Sequence, residues 1–202
     1  MTLRLNNDNG NSASIDYVDG VTTDSTITIP EGDGTVAMVG ANGGLAGNIS
    51  AATIFRLSAD FTTNNAVVTG WEAPDQAGES TGVGGAVTEA SGIFTFPVTG
   101  IWLVVFNSRL ILAAGNTGFN VFTDLSTNSG TNFSSRALCS GGNGSASDTN
   151  QNTASFAIFD VATAGNTTQV RFTISSVANG SGLRGESNSN LTTALFLRLG
   201  DT

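Results

Sequence analysis

The chain has 202 residues, a formal net charge of −9, one cysteine, no histidine and seven basic residues, all of them arginines. Without histidine and lysine it lacks the commonest general base, the commonest metal ligand and the amine of Schiff-base chemistry. Its acidity repels a polyphosphate backbone, so the composition argues against most classes of enzyme and against nucleic-acid binding.

Residues 1–41 contain short runs in which apolar and polar residues alternate, a pattern typical of half-buried strands. We predict strands in residues 2–5, 14–18, 25–29 and 35–39. A piece of this length buries too little surface to be stable alone, so we expect a short β-rich anchor that docks on another protein. The Gly- and Asn-rich residues 42–52 are predicted to be a joint, which separates the anchor from a domain of residues 53–202.

From residue 53 the apolar runs become longer, and no window has the i, i+3, i+4, i+7 spacing of an amphipathic helix. We predict strands in residues 53–58, 66–71, 92–96, 101–112, 118–123, 135–139, 154–161, 169–175 and 192–199. Strands without intervening helices indicate an all-β, two-sheet sandwich. Residues 101–106 are all apolar, which indicates a strand covered on both faces and predicts that a second chain covers its outer face.

Residues 92–102, with the sequence GIFTFPVTGIW, resemble the central signature of C1q/TNF-like jelly rolls. That signature is Gly-x-Phe, a proline, then a glycine followed by a large aromatic residue, here Trp102 where tyrosine is more usual. Pro97 is expected to end one strand, and Gly100 to permit the turn into the next. Residues 54–58, 154–161, 169–172 and 194–199 resemble other strands of the same family, so the likeness covers residues 53–202.

The resemblance implies a jelly-roll sandwich that forms a homotrimer around a threefold axis. The candidates for the trimer core and interface are Phe94, Phe96, Trp102, Val104, Phe106 and Phe196. Residues 26–37 and 196–202 also look like segments of structural proteins from marine bacteriophages and cyanophages. The implied function is a non-enzymatic virion structural protein whose trimeric head projects as a tail fibre, knob or capsid decoration. Residues 1–41 would attach it to other virion proteins.

Three other functions stay open at this point. One is a capsid cement protein that stabilises the shell at threefold positions, and another is a bacterial adhesin. The third is a carbohydrate-active fibre enzyme, which needs a pair of carboxylates. The densest acidic group is Glu72, Asp75 and Glu79, but it falls in a loop, where carboxylates usually face solvent.

No cofactor is expected, and calcium is the one alternative considered. Residues 16–20 and 31–34 offer hard oxygen ligands, although Asx turns also explain their aspartates. The polar residues 140–153 are predicted to be an exposed loop. Its amides and hydroxyls are suited to host-surface glycans, although a solvated connector is the simpler interpretation.

The location of the protein is predicted from its apolar runs and its single thiol. No run approaches the ~20 apolar residues that cross a bilayer, and the first residues do not resemble a secretion signal. We therefore expect no membrane partner and a virion protein made in the host cytoplasm. Cys139 has no partner for a disulfide and is expected to be a small, half-buried thiol.

Overall fold

The structure, a computed structural model, describes residues 2–6, 12–16, 49–145, 147–178 and 180–201. The chain divides into two compact units, Met1–Ala46 and Gly47–Thr202. In the first unit, β1 (Thr2–Asn6) and β2 (Ser12–Asp16) form an antiparallel hairpin. The strands predicted in residues 25–29 and 35–39, and most of the predicted joint, lie outside the described residues.

In the described part of the second unit the regular elements are all strands, apart from one 3₁₀ turn. The elements are β3 (Ala51–Leu57), β4 (Ala66–Val67), β5 (Trp71–Glu72), β6 (Gly82–Gly84), β7 (Thr88–Ala90), β8 (Ile93–Thr95), β9 (Gly100–Leu112), β10 (Phe119–Ser126), β11 (Ser134–Gly141), β12 (Thr149–Val161), the 3₁₀ turn (Gly165–Thr167), β13 (Gln169–Ser175), β14 (Gly182–Leu183) and β15 (Thr193–Gly200). None of the described residues forms a helix with the length and apolar character needed to span a bilayer.

These strands form two antiparallel sheets that pack face to face. The first has the order β11-β10-β13-β8-β7, with β4 also paired to β13. The second has the order β12-β9-β15-β3-β5, with β14 also paired to β9 and β6 to β3. The predicted all-β sandwich is therefore confirmed.

The core lies between the sheets and is dominated by aromatic rings. Phe94 is fully buried, and its ring centroid lies 4.9 Å from that of Phe196, 5.5 Å from that of Trp71 and 5.5 Å from that of Phe172. Strand β9 contributes every second side chain to this core, beginning with Trp102, because successive side chains of a strand point to opposite faces. Burying each large apolar side chain stabilises the fold by about 1.5–3 kcal/mol.

Gly100 begins β9 where two parts of the chain pass very close together. Its φ is +139°, and a Cβ atom placed on it would lie 2.5 Å from the carbonyl oxygen of Gly200. Only glycine combines this backbone conformation with such a close approach. The aromatic residue that follows, Trp102, packs its ring 5.2 Å from that of Phe96 and donates from Nε1 to the carbonyl of Val98 at 3.3 Å.

The prediction of one exposed loop over residues 140–153 is wrong at both ends. Strand β11 continues to Gly141, and β12 already begins at Thr149, which lies opposite Leu112 of β9. Backbone hydrogen bonds extend a strand without any apolar side chain, which explains the error. Within the remaining loop, Asn143 is buried, and its Nδ2 donates to the carbonyls of Leu112 at 3.2 Å and Ser147 at 2.8 Å.

The predicted strand of residues 66–71 is divided between the two sheets. Strand β4 pairs with β13 of the first sheet, whereas β5 pairs with β3 of the second. Gly70 lies between them with φ +86°, a conformation that interrupts an extended run. Trp71 thus enters the core from the second sheet.

Candidate interaction surface

The second sheet has an unusually apolar outer face, the side turned away from the core. Strands β12, β9, β15 and β3 align one row of four side chains there: Phe156, Val105, Leu195 and Ile54. A second row, which also reaches β6, consists of Ile158, Leu103, Leu197, Ala52 and Val83. We call these nine residues the apolar face.

The two edges of the apolar face differ in shape. At the β12 edge, Phe156 keeps 74% and Ile158 64% of its surface exposed, so both side chains project. At the β3 edge the sheet is incomplete, because β6 pairs with the first residues of β3 and β5 with its last two. The gap opens into a cavity of about 320 Å³, which we call the socket. Its lining is mostly apolar and includes Ala52, Phe55, Ala73, Val83, Ala86 and Val87.

Part of the outer face of the first sheet is polar. Asp124 is buried there, where it accepts hydrogen bonds from Ser135 Oγ at 2.6 Å, Thr173 Oγ1 at 3.0 Å and Arg171 Nε at 3.2 Å. The guanidinium of Arg171 lies 4.2 Å from the centre of the Phe133 ring. These groups satisfy one another within a single protomer.

Beside the apolar face, Arg56 is held by three carboxylates. It lies on the outer side of β3 opposite Glu72, and its side chain is completely buried. Its Nε donates to Glu72 at 2.8 Å and its Nη1 to Glu79 at 2.7 Å, while Nη2 pairs with Asp75. These bonds fasten residues 72–81, which we call the acidic strap, over this part of the sheet. Ala73 and Thr81 of the strap also line the socket.

The same contacts fix the charge of Arg56. Its hydrogen bond to Glu72 is the main reason that the pKa of Arg56 is raised above its ordinary value, with Asp75 and Glu79 adding to the effect against the cost of burial. The guanidinium therefore stays charged at neutral pH.

The three acidic residues that the sequence brought to attention do come together in space, where they surround the guanidinium of Arg56. Glu72, Asp75 and Glu79 each give an oxygen to Arg56. Glu79 also accepts from the backbone of Gln76 at 3.0 Å and from Asn190 Nδ2 at 3.0 Å. Carboxylates engaged in this way are suited to fastening a loop, whereas a general acid must hold a proton of its own. The sequence carried no signal that their partner is Arg56.

The six trimer candidates lie in the core of one protomer. The exposed fraction of each is 1% or less, and together they are Phe94, Phe96, Trp102, Val104, Phe106 and Phe196. None of them has surface left for a second chain, so all six belong to the core of the protomer. Residues 101–106 contribute to the core and to the apolar face, because Trp102 points inward while Leu103 and Val105 point outward.

Cys139 lies inside the sandwich beside polar side chains. It is 6% exposed, and its Sγ lies 4.0 Å from Ser108 Oγ. Burial raises the pKa of the thiol above its ordinary value, because the low-polarity surroundings disfavour the thiolate.

The predicted calcium loops lie almost entirely outside the described residues, since only Asp16 at the end of β2 is described. In the part of the chain that the structure describes, no three His, Cys, Asp or Glu side chains are placed to share a metal ion.

Comparison with known proteins shows the fold. No protein-family model matches the sequence, and no curated protein matches it. Among solved structures, Eiger TNF from S. frugiperda is similar, with a TM-score of 0.52 and 13% identity over 75% of this chain and 93% of that chain. Murine APRIL aligns with a TM-score of 0.46 and 10% identity over 74% of this chain and 98% of that chain. The likeness to Eiger TNF shows that the chain has a TNF-like jelly-roll fold.

Proposed function

We propose that the chain is a non-enzymatic structural protein of a bacteriophage virion, with a homotrimeric jelly-roll head. In this proposal residues 53–202 form the head, which projects as a tail fibre, knob or capsid decoration. Residues 1–41 anchor it to other virion proteins, and the head's exposed loops contact host-surface glycans. The protein is made in the host cytoplasm and is located in the particle.

The observation that carries self-association is the apolar face. Its two rows run across neighbouring strands without a charged side chain, and Phe156, Ile158 and Val83 are more than half exposed. A contiguous apolar patch of this kind marks an interaction site in a water-soluble domain. The resemblance of residues 92–102 to C1q/TNF-like jelly rolls supports three as the number of copies.

Two further points support a structural rather than a catalytic role. The densest carboxylate group is engaged by Arg56, and the chain has neither histidine nor lysine. The virion assignment is supported by the sequence likeness of residues 26–37 and 196–202 to phage structural proteins.

The proposal is tested first on the purified chain and then on the particle. Light scattering should give about three times the protomer mass of 20.5 kDa at micromolar concentration, and a monomer would contradict the trimer. Electron microscopy of the virion that the encoding genome produces should then show three-lobed heads labelled by an antibody against residues 53–202. Particles without label would contradict the virion role, and sugar release from host polysaccharide by the purified head would contradict a non-enzymatic one.

A further inference from the structure

We propose that Arg109 and Arg184 bind the acidic group of a host-surface polysaccharide, a carboxylate or a sulfate ester, and that a polar cavity beside Arg184 holds the adjoining sugar. The site rests on the proposed contact with host-surface glycans. It deepens that proposal, because it assigns the contact to named residues and specifies an acidic glycan.

The two arginines lie side by side on the outer side of the second sheet. Where β14 pairs with β9, the backbone N–H of Arg184 donates to the carbonyl of Arg109 at 2.8 Å. Their chain neighbours Leu110 and Leu183 are fully buried, so both arginine side chains point away from the core. Side chains opposite each other on neighbouring strands have Cβ atoms about 5 Å apart. We call Arg109 and Arg184 the arginine pair.

Thr192 fixes the backbone of both arginines. It is fully buried, and its Oγ1 accepts from the N–H of Arg109 at 3.2 Å and donates to the carbonyl of Arg184 at 2.7 Å. One hydroxyl therefore holds the two segments together at the point where the pairing of β14 with β9 ends. The arginine pair is positioned before any ligand arrives, which reduces the conformational freedom lost on binding.

The arginine pair has no counter-charge among the described residues. The arginines that make ion pairs there are Arg56, Arg171 and Arg198. Arg109 and Arg184 make none with any described residue, and Nε of Arg109 is buried there without a hydrogen-bond partner. Like charges opposite each other on a sheet repel, and a buried donor without an acceptor is unfavourable. An anion bound between the two guanidinium groups would relieve both effects.

The shape of the guanidinium group indicates which anions fit. Each group presents a planar fork of N–H donors that matches two oxygens of a carboxylate or a sulfate, so two forks can hold one acid group from both sides. The net charge of −9 repels a polymer that is charged at every unit, such as a nucleic acid. A polysaccharide whose acid groups are separated by neutral sugars meets less of this repulsion.

The outward positions around Arg109 carry amides. Asn107 lies two residues before Arg109 on β9, and Asn152 lies opposite Arg109 on β12. Both are exposed, and an amide has the donors and the acceptor that sugar hydroxyls require. Arg109 lies four residues beyond Val105, which is about 13 Å along an extended strand. The site therefore lies outside the apolar face.

Arg184 also lines a second cavity, of about 670 Å³, which we call the polar cavity. Its volume is within the range of about 300–1,000 Å³ that is usual for small-molecule sites. Asp60 accepts from the N–H of Gly185 at 3.0 Å, and the N–H of Glu186 donates to the carbonyl of Leu57 at 2.8 Å, so the wall is fastened to the end of β3. Hydroxyl, amide and carboxylate groups that can bond to sugar hydroxyls come from Ser58, Asp60, Glu186, Ser187 and Asn188.

Binding of acidic oligosaccharides to the full chain tests the site. The probes are hexasaccharides of hyaluronan, which carries carboxylates, and of κ-carrageenan, which carries sulfate esters. Each is compared with its uncharged form, carboxyl-reduced or desulfated. Titration calorimetry with wild type should show binding of at least one acidic probe and much weaker binding of its uncharged form, and the probe that binds identifies the acid group. Arg184→Gln and Arg109→Gln should each weaken this binding by about tenfold or more, because hydrogen bonds to a charged group are lost.

Arg136→Gln is the matched control. Arg136 is exposed on β11 of the other sheet and makes no ion pair with any described residue, so the variant removes the same charge and should bind as wild type does. Without ligand, Arg184→Gln should melt no lower than wild type, because the side chain is exposed and its repulsion of Arg109 is relieved. A folded Arg184→Gln that binds as tightly as wild type would overturn the site. An equal loss in Arg136→Gln would do so too, since net charge alone would then explain the binding.

The outcomes separate this site from the proposed function. If neither acidic probe binds to a wild-type chain that is trimeric and present in the particle, the acidic-glycan site is wrong and the virion role stands. Equal binding of a charged probe and its uncharged form would also overturn the site. If the chain is a monomer or is missing from the particle, the proposed function is wrong, while the comparison of Arg184→Gln with Arg136→Gln still decides the site.

Discussion

Phe156 lies directly opposite Val105 on the antiparallel strands β12 and β9, and 74% of Phe156 is exposed even though the next residue in β9, Phe106, is fully buried. One face of β9 thus belongs to the core, while the other continues an apolar row that ends in open solvent. A strand with two apolar faces in a two-sheet protein is stable in water when a further molecule covers the second face.

Replacing Phe94 by alanine should destabilise the protomer strongly. Its ring packs against four other aromatic rings, so the change removes those contacts and leaves a cavity that they only partly fill. We expect a loss of about 3–5 kcal/mol in the free energy of unfolding, measured by denaturant titration. Val98→Ala, at a site 43% exposed, serves as the control and should change it by about 0.5 kcal/mol or less. Similar values for the two variants would contradict the assignment of Phe94 to the core.

Gly100→Ala should lower the free energy of unfolding by more than the unfavourable backbone conformation alone would. The new Cβ would lie 2.5 Å from the Gly200 carbonyl oxygen and 2.6 Å from Arg198 Nε, so the strand ends must move apart. Gly115→Ala is the matched control, because Gly115 also has positive φ but has open space around it. We expect Gly100→Ala to be the less stable variant by about 1–3 kcal/mol in denaturant melts. Equal stability would show that the close approach is not rigid.

Arg56→Met should release the acidic strap. The change leaves Glu72, Asp75 and Glu79 facing one another without their cation, so their repulsion opposes the folded arrangement. We expect the melting temperature to fall by about 5 °C or more. Asp75→Asn is the control: its side chain is 72% exposed, and its loss should cost about 1 kcal/mol at most. A melting temperature of Arg56→Met equal to that of wild type would rule out a clamp.

The buried thiol of Cys139 leads to a prediction about the stability of the fold at alkaline pH. Because its folded-state pKa is raised, the native thiol keeps its proton after the unfolded chain has lost it. The unfolded state then binds fewer protons, so stability is complete below about pH 8.5 and falls as pH rises further, by at most about 1.4 kcal/mol per pH unit. The chain has no lysine and one tyrosine, which leaves few other groups to titrate there.

Denaturant melts at pH 7 and pH 9.5 measure this effect. Cys139→Ala should lose less stability than wild type between the two values. An identical loss in both proteins would mean that the thiol titrates normally in the folded state, against its burial.

The strands that sequence reasoning located best are those with regular alternation. The strand predicted in residues 169–175 matches β13 at both ends, since Val170, Phe172 and Ile174 face the core and the residues between them do not. Three short strands were missed, namely β6, β7 and β14. Strand β6, for example, is exposed throughout and has two glycines in three residues, so its pairing with β3 depends on backbone contacts that leave no apolar pattern.

The interaction surface was only half predictable. The uninterrupted apolar run of residues 101–106 correctly indicates an outer face that is also apolar, yet a run without alternation does not tell which residues point inward. The inward-facing residues Trp102, Val104 and Phe106 were therefore predicted as candidates for both the core and the interface. The contacts of Arg56 could not be predicted at all, because its partners lie 16 to 23 residues away along the chain. They come close to it only because β5 pairs with β3.

The central claim is that the apolar face holds the copies together, and the mass of one double variant tests it most directly. Phe156→Asp with Ile158→Asp places two charges on the face without touching the core, while Leu138→Asp places one on the other sheet. Sedimentation velocity at the same micromolar concentration should show trimers for wild type and Leu138→Asp, and folded monomers with unchanged near-ultraviolet circular dichroism for the double variant. A double variant that keeps the mass of the wild-type trimer would contradict the claim, as would a wild-type chain that is itself a monomer.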